Sequence, residues 1–404
     1  MYRRRRIWAG IAALLAIIVV VGGSYTVVTL SRTPPAAAAT LSIPSSLSGT
    51  AADLSLPSDG SVALGASGFD GVIASSGSQS AAPIASISKV ITALVILNQK
   101  PLSGTDQGSV ITYGASDVAI YQQVIAEDGS NAPVSDGLQL TERQSLTTML
   151  LPSANNYAIS LANWAFGSQD AFVTAATSWL QAHGLSDTHL VEPSGLSPQN
   201  VSTPANLVTI GQIALANPVL ASIVSLTSAD IPGVGTLTNT NTLLGSLGIN
   251  GVKTGTTGEA GYCLLFSSNF TVGTQQVTVV GVLLGASSED SLHSQVTAFL
   301  KSAQSAFHDI PITTAGATVG QLSTVWGAHS DLRAAADAHL VSFGDQAVTV
   351  EQHIAPISSG AAGAQAGTLT ARSGNQSVEI QLQLGTALAG PSAWWKLSHP
   401  NQLH

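Results

Sequence analysis

Between Ile7 and Leu30 the side chains are apolar or absent except at Ser24, Tyr25, Thr26 and Thr29. At about 1.5 Å per residue a helix of these residues spans the roughly 30 Å hydrocarbon core of a bilayer. Arg3, Arg4, Arg5 and Arg6 precede it, and positive charge before an apolar span marks the cytoplasmic side, which puts everything after Leu30 outside the cytoplasm. The pattern predicts a basic tail over 1–6 and a transmembrane anchor over 7–30. A cleaved export signal, which would leave the body secreted, is the competing reading. Ile7 to Val21 has the length of its apolar region, and Ala36 to Ala39 resemble its cleavage site. Those alanines lie too far beyond Val21, so an anchor is expected.

Further along, the pattern changes twice. Residues 31–50, rich in Pro, Ala and Ser, read as a linker. From 51 to 308, helical and strand-like patterns interleave. Helices are predicted at Ser86–Asn98, Glu142–Leu151, Ala154–Ala165, Asp170–His183, Pro204–Ala216 and Glu289–Phe307. Strands are predicted at Gly261–Ser267 and Gln276–Leu284. From 311 to 404, short runs such as "QAVTVEQH" and "VEIQLQL" stand among Gly- and Ser-rich turns and predict a small β-rich domain. The mixture implies a sheet covered by helices, followed by β structure.

Charge narrows the function classes. Residues 33–404 hold 8 Lys+Arg against 22 Asp+Glu, a net of −14, which argues against a nucleic-acid partner. The single cysteine, Cys263, excludes an intramolecular disulfide and, in "GYCLLF", reads as a core residue. The nine histidines form no close-spaced ligand set, so neither a metal nor a cofactor is expected.

Three short elements carry chemistry. In "PIASISKVITALVIL", Lys89 falls inside an apolar run, where an unpaired ammonium costs several kcal/mol unless it is partnered or loses its proton. Ser86 stands three residues earlier, on the same helical face, so its hydroxyl and the amine can touch. A desolvated amine is a plausible base for a serine nucleophile, and a helix N-terminus beside that serine favours a developing oxyanion. Ser-x-x-Lys alone is a weak pattern. The second element, Ser153-Ala154-Asn155 in "LLPSANNYAIS", differs from Ser267-Ser268-Asn269 and Ser373-Gly374-Asn375 in lying between two predicted helices. The third, Lys253-Thr254-Gly255 in "GVKTGTTGEAGYCLLF", leads into a predicted strand. The chain has only five lysines, and two of them fall in these elements.

The order and spacing of the three match the pattern of penicillin-binding proteins and related β-lactamases. The chain resembles the D-alanyl-D-alanine carboxypeptidases of the low-molecular-mass penicillin-binding type. "LTERQSLTTMLLPSANN", "HGLSDTHLVEPSGLSPQNVST" and "INGVKTGTTGEAGYCLL" also read like segments of that family. The likeness covers roughly residues 50 to 307, and the tail ending "PSAWWKLSHP" resembles the second domain that many members carry.

The resemblance implies an α/β (α+β) catalytic domain with a largely antiparallel sheet flanked by helices. It implies a serine-type carboxypeptidase that removes the terminal D-alanine of peptidoglycan stem peptides through an acyl-enzyme, and that β-lactam antibiotics acylate. Ser86 would be the nucleophile, Lys89 its base, Ser153 and Asn155 the proton relay and substrate positioner, and Lys253 the partner of the substrate carboxylate. Thr254, Gly255 and Thr256 would line the substrate, with the backbone N–H groups of Ser86 and Thr256 as oxyanion hole. Between Leu41 and Ile310 the only Lys and Arg are Lys89, Lys100, Arg143, Lys253 and Lys301, so a carboxylate has few partners to choose from.

Three alternatives are set beside this one. A β-lactamase would need a deacylating glutamate on Glu-x-x-Leu-Asn, a motif missing between Ser153 and Lys253, where Glu192 in "EPSGL" is the nearest candidate. A DD-endopeptidase would use the same groups. A catalytically inactive, membrane-tethered wall-binding module is disfavoured by three intact elements. Many family members attach by a C-terminal amphipathic helix, a pattern missing from "WWKLSHPNQLH".

Overall fold

A computed structural model describes residues 2–404, and the chain divides into two compact units. The larger comprises Thr50–His308 with Phe343–Asp345. Its centre is the helix Ser88–Gln99, buried at every position from Ser88 to Leu97. The polar residues of that stretch, Ser88, Lys89 and Thr92, are buried and hydrogen-bonded within the protein, and a solvent-facing placement would leave its Ile, Leu and Val side chains in water. Helices Glu142–Leu150, Asn155–Phe166, Gln169–Ala182 and Pro204–Ala216 surround it.

Beside this cluster stands a five-stranded antiparallel sheet in the order Ile249–Thr257, Gly261–Val272, Gln275–Ala286, Ser61–Ala66, Ala74–Ser76. Leu265, Val280, Val282 and Leu284 join the core of the helical cluster. The intervening Leu264, Phe266, Val279 and Leu283 point to the opposite face by the two-residue period of a strand and are also fully buried. Helix Glu289–Ser305 packs on the two long strands, through Leu292, Val296, Phe299 and Leu300. With both faces covered, the long strands read as continuous apolar runs such as "VTVVGVLL".

The helices expected from periodicity are present with ends shifted by a few residues. Ala115–Ala126 and Pro218–Val224 are additional. The first buries only Val124, which leaves no apolar stripe to read, and the second is only seven residues long.

The smaller unit comprises the chain up to Gly49, Asp309–Ser342 and Gln346–His404. Its seven-stranded antiparallel sheet runs Ala38–Leu41, Thr318–Ser323, His329–Ala334, Gln376–Leu384, Gln365–Ser373, Ala347–Ile354, Ser46–Ser48. The residues read as a linker thus contribute both edge strands. Their side chains are largely exposed and the pairing is through backbone, so alternation of side-chain type carries no signal there. Helix Tyr2–Ser31 is long and apolar enough to cross a membrane. A short helix, Ala393–Ser398, is tied to its end: Lys396 Nζ donates to the carbonyls of Leu30 and Arg32 at 2.9 Å, and the Tyr25 hydroxyl donates to Leu397 O at 2.7 Å.

Candidate active site

Ser86 sits in a single 3-10 turn, Ala85–Ile87, that runs into the central helix. Ile84 and Ile87 are fully buried on either side and fix the turn, although Ala85 adopts φ +45. That conformation costs an L-residue about 1–3 kcal/mol and persists only where packing imposes it. One helical turn on, Lys89 is fully buried. Its Nζ lies 2.8 Å from Ser86 Oγ, 2.6 Å from Asn155 Oδ1 and 2.7 Å from the carbonyl of Ser194. Burial, and then the like charge of Lys253, push its pKa well below the usual lysine range, while Glu192 acts in the opposite direction.

Ser153 and Asn155 occupy the break between helices Glu142–Leu150 and Asn155–Phe166. Ser153 takes the left-handed conformation at φ +66, which turns the chain sharply and brings Asn155 to Lys89. The Ser153 hydroxyl is buried and has no partner in the protein, a state that costs about 1–3 kcal/mol until something bonds to it. Asn156, the second asparagine of "SANN", donates to Ala132 O and accepts from Ala132 N. It thereby fixes the loop that carries Ser130 to the same pocket.

Lys253, Thr254, Gly255 and Thr256 lie on Ile249–Thr257, the edge of the five-stranded sheet. Gly255 is required by contact: a Cβ there would stand 2.8 Å from Ile84 O and 3.1 Å from Ser86 N. Lys253 is buried, and desolvation lowers its pKa to about 7. Its Nζ reaches Thr240 Oγ1 at 3.3 Å, Thr254 O at 3.1 Å and Thr254 Oγ1 at 3.3 Å, and the two hydroxyls are 2.6 Å apart. The pair thus stands between the amine and the pocket. The pocket, about 180 Å³, is lined by Ser86, Ser130, Ser153, Thr240, Thr254 and Thr256 among others.

A sequence profile described as D-alanyl-D-alanine carboxypeptidase matches residues 65–288, more than half of the chain. The chain belongs to the D-alanyl-D-alanine carboxypeptidase family. Among curated relatives, a D-alanyl-D-alanine endopeptidase of Pseudomonas aeruginosa is 34% identical over 192 residues, which cover 45% of this chain and 58% of that protein's own length. A D-alanyl-D-alanine carboxypeptidase of Streptomyces sp. strain K15 is 34% identical over 233 residues, covering 52% of this chain and 75% of the relative. Penicillin binding protein 5 from Haemophilus influenzae shares the fold, with a TM-score of 0.58 over 85% of this chain and 100% of that one at 20% identity.

All the residues that the family resemblance singles out, from Ser86 to Thr256, therefore lie in or immediately behind one pocket. Sequence reasoning missed Thr240, the Ser194 carbonyl, Ser130 and the rim residues Glu289 and His293. Thr240 lies in "LTNTNT", whose several interchangeable threonines and asparagines give no means of choosing one, and a backbone carbonyl has no side-chain signature. Glu192, the candidate hydrolytic glutamate, is turned away from Ser86. Its carboxylate accepts from the backbone N–H groups of Ser194 and Gly195 at 2.6 Å and Ser197 at 3.3 Å.

Proposed function

We propose that this chain is a serine-type D-alanyl-D-alanine carboxypeptidase that releases the terminal D-alanine of peptidoglycan stem peptides and is acylated by penicillins. The contact that carries the reading is Lys89 Nζ on Ser86 Oγ at 2.8 Å, beside a pocket that Ser86, Ser153 and Thr254 to Thr256 line together. Burial that lowers the pKa of an amine favours its neutral form, whose lone pair can take a proton. As Ser86 Oγ bonds to the penultimate D-alanine carbonyl carbon, its proton passes to Lys89. The oxyanion is received by the backbone N–H groups of Ser86 and Thr256. Collapse breaks the C–N bond, and the proton reaches the leaving amine through the unpartnered Ser153 hydroxyl. Water then attacks the ester and the steps reverse. The substrate carboxylate bonds to the Thr254 and Thr240 hydroxyls, whose polarity Lys253 reinforces from behind.

The N-terminal helix holds the enzyme on the outer side of the cell membrane, where peptidoglycan lies. Residues 51–308 form the catalytic domain and 311–404 a β-rich domain outside the chemistry. The test is mass spectrometry of products from an acyl-D-Ala-D-Ala peptide, together with the intact mass after penicillin. Free D-alanine and a single drug adduct located at Ser86 are expected; a full adduct on Ser86→Ala at wild-type rate refutes the assignment. The relative named as an endopeptidase favours a second reading, cleavage of D-alanyl cross-links by the same site. Splitting of cross-linked dimers faster than release of D-alanine from monomers would select it.

A further inference from the structure

Lys89 Nζ has three neighbours within hydrogen-bond distance, and two of them, Asn155 Oδ1 and the Ser194 carbonyl, can only accept. A neutral amine has two hydrogens and one lone pair. Filling both acceptors uses both hydrogens and leaves the lone pair for Ser86 Oγ, whose hydroxyl must then be the donor. If either acceptor moves away, the amine can rotate and give a hydrogen to Ser86, and in that state it cannot take the serine proton.

We infer that Glu192 is a positioning residue for this base: its carboxylate holds the turn 192–197 so that the Ser194 carbonyl keeps one Lys89 hydrogen and the lone pair stays on Ser86. The inference rests on the reading of Ser86 and Lys89 as nucleophile and base. Glu192 Oε2 accepts from Ser194 N at 2.6 Å. Its Oε1 accepts from Gly195 N at 2.6 Å, Ser197 N at 3.3 Å and Asn200 Nδ2 at 3.1 Å. The carboxylate therefore fixes the N–H groups on both sides of the Ser194 carbonyl. Asn200, fully buried, ties the same turn to the central helix by donating to Ser88 Oγ at 3.1 Å. From that helix the Thr92 hydroxyl donates to Pro193 O at 2.7 Å. Gly195 closes the contact: at φ +85, a Cβ on it would stand 1.9 Å from Ala85 O, so the turn seats directly on the residue before Ser86.

Nothing places Glu192 where a hydrolytic water would be activated. Both its oxygens are occupied, and it lines a separate pocket with Ile120, Gln123 and Glu127. Its charge still reaches Lys89. The charged groups that act on Lys89 are Lys253, which disfavours the ammonium, and Glu192, which favours it. Removing the carboxylate thus has two separable effects: it releases the carbonyl and it lowers the proton affinity of the amine further.

The full-length chain with Glu192→Gln or Glu192→Asp tests this, through stopped-flow acylation by a fluorescent penicillin from about pH 5 to about pH 10. Glu192→Gln is expected to slow the acylation step about tenfold or more with the non-covalent Kd unchanged, and to move the acid limb of the profile to lower pH. Glu192→Asp keeps the charge on a shorter arm; acylation should slow while the acid limb stays in place. A wild-type rate and an unmoved limb in Glu192→Gln overturn the inference. So does normal acylation followed by a stalled acyl-enzyme, which would make Glu192 the hydrolytic base. Should Glu192→Gln fail to fold, Glu192→Asp decides alone, since a wild-type rate there removes any positioning role. A wild-type chain that takes no penicillin at all refutes the proposed function instead.

Discussion

Replacing Lys89 by arginine separates the charge of the side chain from its ability to accept a proton. Guanidinium stays protonated in proteins, so Lys89→Arg puts a permanent cation beside Ser86 and removes the base. General-base catalysis contributes about 10²–10⁴-fold, and each factor of ten is about 1.4 kcal/mol of barrier, so acylation should fall by the equivalent of about 3 to 5 kcal/mol. The site makes a smaller loss hard to arrange: Nζ is fully buried with three partners at 2.6–2.8 Å, and no other base is hydrogen-bonded to Ser86 Oγ among the described residues. The larger guanidinium also overfills the space, at about 1–3 kcal/mol of stability, so thermal melting must accompany the kinetics. Lys89→Met supplies the control for shape. It has no base and no charge, and leaves Asn155 Oδ1 and Ser194 O without their shared donor, at about 1–3 kcal/mol each. Both variants, folded, should show the same large loss in stopped-flow penicillin acylation. Acylation of folded Lys89→Arg within tenfold of wild type would mean that another group activates Ser86.

The pH dependence of kcat/KM reports the free enzyme. Lys253, lowered to about 7 by burial, should cause activity to decline as pH rises through that value, and Lys253→Arg should move this alkaline limb upward; an unmoved limb would detach it from Lys253. Glu142 is raised to about 7 by burial from 4.5, so the fold favours its protonated form. Its contribution is complete below pH 4.5 and is lost as pH rises through about 7. Glu142→Gln should therefore melt higher than wild type at pH 8 by a margin that shrinks at pH 4, and equal margins at both would contradict this. Gly255→Ala drives a methyl against Ile84 O and Ser86 N; it should cost about 1–3 kcal/mol of stability and slow acylation more than a Gly258→Ala control, exposed and with open space for the methyl, measured alongside it.

Much of this protein was legible before any coordinate. The apolar run from Ile7 to Leu30, the largely apolar central helix and the two long buried strands are local patterns, because each keeps one character over many consecutive residues; in the central helix and the strands the reason is burial. The family motifs are legible for a related reason: Ser86 and Lys89 must share one helical turn, and Lys253 to Thr256 one stretch of strand, so their spacing is set by local geometry. Tertiary structure alone decided the rest. Residues 38–41 and 46–48 became strands through backbone pairing with segments almost 300 residues away, which no side chain announces. Thr240 became the partner of Thr254 and Lys253 because a loop without periodic pattern crosses the edge strand. The Ser194 carbonyl reached Lys89 across 105 positions, and Glu192 turned from the pocket to its own backbone. In each case the determining contact joins distant segments through backbone or short polar groups. Its energy depends on where the whole core places the partners, and the sequence on either side is free of it.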